Sequence, residues 1–191
     1  MGRDDSIQKR KVAIEFDENI QAHWLDGDAI LTRYFDSFSI AFPDAERMMI
    51  DVVRDLGHDL TDDRLKDDAK KFIFQEAQHS QVHANYNKYI EKQGVDLKPL
   101  EKFIRFWTSW TRINMSLKNR CGMGAGIEHF TTLIGEHFIA SGIFDRADPK
   151  MRALWEWHAL EEIEHRSVLF DVYTQGAKGG YMRRISIFLV G

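Results

Sequence analysis

Two copies of a Glu-x-x-His pattern carry the strongest chemical signal in this 191-residue sequence. Glu76 stands three residues before His79, and Glu162 stands three residues before His165. Residues three apart share one face of an α-helix, so the carboxylate and the imidazole of each pair can bind one metal ion. Two further predicted helices each offer one glutamate. The predicted ligands in chain order are Glu46, Glu76, His79, Glu128, Glu162 and His165.

This order of ligands is the one with which helical bundles hold two metal ions. Carboxylates can bridge two cations about 3.5–4 Å apart. Imidazole together with carboxylate favours iron or manganese. We therefore expect two iron ions, with manganese or zinc as the alternative. Two more histidines lie on the same helix faces as candidate nitrogen donors: His83, four residues after His79, and His158, four residues before Glu162.

Some of these assignments have competitors in the sequence. Glu136 lies on the same predicted helix as Glu128, which is nearer to the helix start. Glu161 is adjacent to Glu162, which has the histidine three residues later. The histidines of both Glu-x-x-His pairs need an outer partner for the second ring nitrogen, which the sequence does not identify. As an alternative to a metal site, a bundle can bury hydrogen-bonded Glu–His pairs without metal.

Helical periodicity predicts an all-α fold, and the order of the ligands favours a four-helix bundle with additional flanking helices. Asp28 can cap a first helix that ends near Ile40. Pro43 fits the first turn of a separate helix that ends near Leu56. Residues 1–27 are predicted to form a short N-terminal extended arm, because their apolar residues alternate with polar ones.

The second half of the chain is also predicted to be helical. Three glycines between residues 122 and 126 are expected to interrupt helicity before the helix that carries Glu128. Pro149 is expected to begin a last strong helix that reaches about Gln175. The bundle is therefore assigned to residues 28–176 and a basic, apolar tail to residues 177–191. The tail is interpreted as a short helix packed on the bundle, with a membrane-facing segment as the alternative.

The composition restricts the location and partners of the protein. An apolar content of 43% suits a sizeable core, and a net charge of -4 argues against a broad nucleic-acid surface. The single cysteine excludes an intrachain disulfide and favours a reducing compartment. Neither a signal-peptide core near the N-terminus nor a run of 18 apolar residues is found. We expect a cytoplasmic protein, with attachment to the inner face of the membrane and homodimerisation as alternatives.

Four segments resemble a bacterial family described as predicted metal-dependent hydrolases. They are Phe42–Arg47, Gln75–His83, Ile127–Thr131 and Trp157–His165, within a resemblance that covers residues 28–175. This resemblance implies a ferritin-like fold with a di-metal site. The block His158-x-x-x-Glu162-x-x-His165 also resembles di-iron N-oxygenases of the para-aminobenzoate N-oxygenase type, which act on aromatic amines. There the extra histidine binds one iron, which implies that His158 is a seventh ligand.

Three functions are considered for such a site. The first hypothesis is a di-iron oxidoreductase that activates dioxygen, receives electrons from a donor and acts on a small, fairly apolar substrate. In that hypothesis Thr132, one turn after Glu128, relays a proton, with helix packing as its alternative role. The second hypothesis is a two-metal hydrolase that cleaves an ester, amide or phosphate bond. The third is a non-catalytic iron-binding protein.

Overall fold

The computed structural model describes residues 7–178, which form six α-helices. The helices are α1 (Ala29–Leu56), α2 (Asp63–Lys92), α3 (Lys98–Asn114), α4 (Leu117–Ser141), α5 (Pro149–His165) and α6 (Val168–Gln175). Short 3₁₀ turns follow α1 at Gly57–Asp59 and α4 at Ile143–Arg146. The described residues contain no β-strand, only an isolated antiparallel bridge between Leu25 and Ala147. The predicted all-α fold class is therefore confirmed.

The helices pack as two layers with α3 outside them. α1 packs along α2, α4 packs against α5 and α6, and α3 lies mainly against α1. Residues 7–28 form no helix and run over the bundle as the predicted arm. The arm is fixed by side chains of α2, because Gln75 Nε2 donates to the Gln8 carbonyl and Tyr89 Oη donates to the Ile20 carbonyl. The predicted boundaries at residues 27 and 176 stay predictions.

The first helix differs from the sequence prediction, because α1 runs unbroken through Pro43. Proline lacks an N–H group, so the carbonyl four residues earlier loses its helical donor. Here that carbonyl belongs to Ser39, and it accepts a hydrogen bond of 3.0 Å from Asn87 Nδ2 on α2. The predicted break between Ile40 and Pro43 is therefore wrong, because a side chain from a distant segment replaces the missing donor.

The glycine-rich segment and the last helix also differ from the prediction. α4 continues through all three glycines, although each costs about 1 kcal/mol relative to alanine in a helix. At Gly124 the neighbouring helices approach closely, since an added Cβ would lie 3.4 Å from Leu169 and 3.5 Å from Met49. The predicted long last helix is instead two helices, because α5 ends at His165 and α6 begins at Val168.

The apolar core has two clusters that flank a polar middle section. One cluster includes Met49 of α1, Phe72 of α2 and Leu169 of α6. The other includes Phe35 of α1 and Tyr86 of α2. On α1 and α2 the predicted ligands lie in the sequence between these two sets, which places them near the middle of the bundle.

Two findings bear on the expectation of membrane attachment. Among residues 7–178, no helix is both long enough and apolar enough to cross a bilayer. Most of the predicted tail falls at residues 179–191, which lie outside the described residues, as do residues 1–6.

Candidate metal centre

Four helices bring all the predicted ligands into one buried cluster. α1 provides Glu46, α2 provides Glu76, His79 and His83, α4 provides Glu128, and α5 provides His158, Glu162 and His165. Each of these eight residues is at most 4% exposed. We call Glu46, Glu76, Glu128 and Glu162 the central glutamates. Their burial is unusual, because glutamate is almost never fully buried without a partner.

The two Glu-x-x-His pairs face each other across the interface between α2 and α5. Donor atoms of Glu76, His79, Glu162 and His165 all lie within 4.8 Å of one another. His165 Nε2 lies 3.0 Å from Glu76 Oε1 and 3.7 Å from Glu162 Oε1. His79 Nδ1 lies 3.6 Å from Glu162 Oε1. This spacing of carboxylate and imidazole donors suits a single metal ion.

A second group of donors overlaps the first at His79. Donor atoms of Glu46, His79 and His158 also lie within 4.8 Å of one another. Neither carboxylate oxygen of Glu46 has a hydrogen-bond partner among residues 7–178. His158 Nε2 lies 3.5 Å from Glu162 Oε1, which connects the two groups. The donors are therefore arranged as two adjacent, overlapping sets.

Glu128 contacts this cluster through His165. Glu128 Oε2 lies 2.8 Å from His165 Nδ1, and its other oxygen has no partner among the described residues. The competing Glu136 is 45% exposed at its side chain and accepts from Arg166 Nη1 at 3.3 Å. Glu136 therefore lies on the surface of α4, away from the central glutamates.

The outer partner of His79 is Glu161, the neighbour that competed with Glu162 as a ligand. Glu161 Oε2 lies 3.1 Å from His79 Nε2, which leaves Nδ1 directed at the central glutamates. Arg10 of the N-terminal arm holds the other oxygen of Glu161 at 3.3 Å and also pairs with Glu164. Sequence reasoning missed Arg10, because 151 residues separate it from Glu161 and no local pattern marks it.

His83 lies behind His158 and has both ring nitrogens engaged. Its Nε2 lies 3.0 Å from His158 Nδ1, and its Nδ1 lies 2.9 Å from Ser39 Oγ. Ser39 Oγ in turn donates to Asn87 Oδ1 at 2.7 Å. This chain of contacts orients the His158 ring so that Nε2 points towards Glu162. The geometry suits a positioning residue better than a metal ligand.

The two adjacent threonines of α4 differ in what they contact. Thr131 Oγ1 donates to Glu162 Oε2 and so holds one oxygen of that carboxylate. The hydroxyl of Thr132 instead lies 2.7 Å from the Glu128 carbonyl and 3.2 Å from the Glu162 carbonyl. Thr132 therefore ties α4 to α5 through backbone groups, while Thr131, which sequence reasoning passed over, touches a predicted ligand.

Burial and mutual repulsion shift the pKa values of the central carboxylates upward. Burial, followed by the charges of Glu76 and Glu162, raises the pKa of Glu46 well above its ordinary value. Burial and the charge of Glu128 raise the pKa of Glu76 to about 7. The pKa of Glu162 is raised well above its ordinary value for the same reasons. These carboxylates therefore lack enough positive charge nearby to favour ionisation.

Of the four buried histidines in the cluster, one favours its protonated form and three favour the neutral form. Burial lowers the pKa of His165, but the negative charges of Glu128 and Glu76 outweigh this effect. The pKa of His165 is therefore well above its ordinary value. Burial lowers the pKa values of His79, His83 and His158 well below the ordinary value. The neutral rings of His79 and His158 can therefore present a nitrogen lone pair to a metal ion.

The donor set fits metal ions on charge as well as on chemistry. When ionised, the four central glutamates carry four negative charges in the core, whereas His165 is the one protonated group that faces them among the described residues. Two divalent cations would neutralise four carboxylates without any protonated histidine. Several oxygens and nitrogens of the cluster also have no hydrogen-bond partner in the described part of the chain. Buried, unpaired carboxylates of this kind are expected where metal ions bind.

An apolar cavity adjoins the cluster on the side of α4. Its wall includes Glu162, His158 and Thr131 from the site. The other lining residues are apolar, and none carries a positive charge: Phe38, Phe42, Ile134, Gly135, Phe138, Trp155 and Ala159. The cavity is therefore a small space of about 30 Å³ next to the candidate ligands, apolar apart from the side chains of the site.

Comparisons with known proteins assign the chain to a family. A family model described as predicted metal-dependent hydrolase matches residues 8–191. No curated protein and no solved structure match the chain. The match therefore covers nearly the whole sequence, and it includes every predicted ligand.

This assignment corrects the first functional hypothesis. The di-iron oxidoreductase that activates dioxygen is wrong, because the matching family is described by metal-dependent hydrolysis. The predicted proton relay by Thr132 depended on that hypothesis and loses its basis. The expectation of dioxygen and an electron donor as partners loses its basis for the same reason. A metal-binding cluster agrees with the family description. The chain belongs to the family of predicted metal-dependent hydrolases.

Proposed function

We propose that this protein is a hydrolase that holds two divalent metal ions and cleaves an ester or amide bond of a small, apolar substrate. The observation that carries the proposal is the burial of four carboxylates with one compensating imidazolium. The family description supports hydrolysis as the type of reaction. Carboxylate and imidazole donors suit manganese, zinc and iron.

The proposed ligands form two sets that share His79. Glu76, Glu162 and His165 would hold one ion with it, and Glu46 and His158 would hold the other. Glu128 would complete the site from α4, where it now faces His165. When bound, such ions act as Lewis acids and lower the pKa of a water molecule to about 7.

The protein's own residues fix the ligands and shape the substrate space. Thr131 donates a hydrogen bond to one oxygen of Glu162, and His83 Nε2 lies at hydrogen-bond distance from His158 Nδ1. Glu161 Oε2 lies 3.1 Å from His79 Nε2. Such outer contacts set the orientation of metal ligands and tune their basicity. Glu162 and His158 lie in the wall of the cavity, beside the aromatic side chains of Phe42 and Trp155.

The cavity also bears on which bond is cleaved. A phosphate ester would need cationic side chains to bind its charge, and no lysine or arginine lines the cavity. The apolar lining suits the chemistry of a neutral carboxylic ester or amide better. We therefore favour the ester and amide classes over phosphate.

The experiment is metal reconstitution followed by hydrolysis assays without oxygen. Protein freed of metal with a chelator is reloaded anaerobically with manganese, zinc or ferrous iron, and metal is counted per chain. We expect about two ions per chain and hydrolysis of short-chain or aromatic nitrophenyl esters or anilides that depends on the metal. A protein that binds two ions of any of these metals yet cleaves neither class of substrate would contradict the proposal.

The contact from Arg10 gives a test at a distance from the metal ligands. Removing it leaves Glu161 buried beside His79 without a cation, so the orientation of the His79 ring should loosen. We expect Arg10→Ala to lower hydrolysis about tenfold to a hundredfold, which is the usual effect of losing an outer contact of a ligand. Arg10→Lys should recover part of the rate, since lysine keeps the charge but loses the bidentate geometry.

The neighbouring Lys11 provides the matched control for Arg10. It is exposed and makes no ion pair among residues 7–178, so Lys11→Ala should behave as the wild type. Equal activity of Arg10→Ala and Lys11→Ala would show that the arm does not position the site.

A further inference from the structure

The outer helix α3 exposes a continuous apolar stripe. Its exposed fractions are 59% for Phe103, 59% for Phe106, 47% for Trp107, 43% for Trp110 and 80% for Ile113. The spacings of three and four residues place these side chains along one face of the helix. Single exposed apolar residues are normal on a protein surface, but a contiguous aromatic stripe marks a site of interaction.

The stripe is not the face with which α3 packs on the bundle. That face carries Leu100, Ile104 and Thr111, of which Leu100 and Ile104 pack against the core and Thr111 contacts Met48 of α1. A surface helix needs one apolar face to stay attached to its protein. α3 has a second one, which no other residue between 7 and 178 covers.

The charge of α3 is opposite to that of the whole chain. The helix carries four basic residues, Lys98, Lys102, Arg105 and Arg112, and one acidic residue, Glu101. The chain as a whole has a net charge of -4. Lys98 and Lys102 make no ion pair among the described residues, and with Arg105 they form a basic row beside the stripe. The partner of this face is therefore expected to be both apolar and negatively charged.

This charge pattern disfavours a second copy of the chain as the partner. In a two-fold symmetric pairing of antiparallel helices, the same flank of each copy meets its equivalent. The basic rows of the two helices would then lie along the same edge of the interface, and like charges at an interface are repulsive. A surface of anionic lipid headgroups avoids this repulsion and accepts aromatic side chains between its chains.

We propose that α3 binds the surface of an anionic phospholipid membrane, with the five-residue stripe inserted at the headgroup boundary. Tryptophan and phenylalanine on one face and lysine and arginine beside it are the features of helices that lie in this interface. Lys98 and Lys102 contact lipid phosphates from the flank, while their aliphatic parts cover the neighbouring apolar surface. The inference does not depend on the proposed hydrolysis.

The test is sedimentation of the full chain with vesicles of phosphatidylcholine alone or mixed with phosphatidylglycerol. We expect binding to the anionic vesicles to be at least about tenfold tighter, and to weaken as sodium chloride rises from about 0.05 to about 0.5 M. Binding should shift tryptophan fluorescence to shorter wavelength. Trp107→Ser with Trp110→Ser should weaken binding at least about tenfold and abolish the shift.

Matched variants separate the stripe from general effects of exposed side chains. Ile113→Ser should weaken binding several-fold, whereas Ile30→Ser at the start of α1, where isoleucine is 82% exposed, should not. Lys98→Ala with Lys102→Ala should remove most of the preference for anionic lipid. The exposed pair Lys88→Ala with Lys92→Ala on α2 is the control for charge.

Three outcomes would overturn the proposal. One is that the full chain binds neither kind of vesicle. Another is that the tryptophan variant binds as the wild type while Arg183→Ala with Arg184→Ala does not, which would assign lipid binding to the tail. The third is that the tryptophan variant changes a dimer to a monomer without any change in vesicle binding. Circular dichroism of each variant confirms that it remains helical.

Discussion

Glu162→Ala is expected to lower hydrolysis at least about a hundredfold and to reduce bound metal by about half. Glu162 Oε1 lies within 3.7 Å of a ring nitrogen of each of three histidines, His79, His158 and His165. No other carboxylate among the described residues touches so many proposed ligands. Loss of an outer contact alone costs tenfold to a hundredfold, so loss of a ligand should cost at least the upper end of that range. Metal content per chain and anaerobic ester hydrolysis measure the two effects.

The same helix offers a control for Glu162. Glu156 is partly exposed, pairs with Arg152 on the surface of α5 and lies six residues before Glu162. Glu156→Ala should keep both the metal and the rate. If Glu162→Ala retained two ions per chain, the proposed ligand set would be wrong, even if activity fell.

Metal-free protein is expected to lose stability as the pH rises from about 6.5 to about 8. A carboxylate whose pKa is raised in the folded state contributes stability below its unfolded pKa, and that contribution is lost as the pH rises through the folded value. Glu46, Glu76 and Glu162 have raised pKa values, about 7 for Glu76, chiefly because they are buried. His165, whose pKa is also raised, acts in the same direction.

Above about pH 6.5 the other buried histidines do not oppose this trend. The pKa values of His79, His83 and His158 are lowered by burial, so these rings are neutral in the folded state throughout this window. Ionisation of Glu76, with its pKa of about 7, should therefore cost on the order of 1 kcal/mol across the window, and Glu46 and Glu162 should add to this loss. Bound divalent metal keeps the carboxylates ionised, and the metal-loaded protein should lose little or nothing. Urea unfolding at the two pH values, with and without metal, measures the difference.

Glu46→Gln tests the cause of that pH dependence. Both oxygens of Glu46 lack a partner among residues 7–178, so a neutral side chain there should reduce the loss of stability in metal-free protein. The variant should also bind less metal. Glu91→Gln, at an exposed position of α2, should change neither property. Metal-free wild type that is equally stable at both pH values would argue against a buried cluster of uncompensated carboxylates.

The sequence was sufficient for the features that depend on short-range geometry. The Glu-x-x-His spacing places each pair on one helix face, whatever the rest of the chain does. Helical periodicity fixes the all-α class, and Asp28 caps the start of α1 as its residue type predicts. The ligand order along the chain indicated a metal centre before any contact between helices was known.

Contacts between distant segments decided the rest. α1 continues through Pro43 because Asn87 of α2 donates a hydrogen bond to the Ser39 carbonyl. The local sequence around Pro43 does not predict this contact. Helix rotation places Thr131, and not Thr132, on the Glu162 carboxylate. The reason is common to both cases: side-chain orientation and satisfied backbone groups are set by the partner helix, and local sequence does not encode which partner will be there.

The position of Arg10 shows this division most clearly. Its guanidinium reaches Glu161 and Glu164 across 151 and 154 residues of sequence, and through Glu161 it acts on His79. The sequence by itself determined that His79 would share a helix face with Glu76, because that is a matter of helical period. Only the tertiary structure decided that Arg10 pairs with Glu161 beside the His79 ring, because that depends on where the arm crosses the bundle.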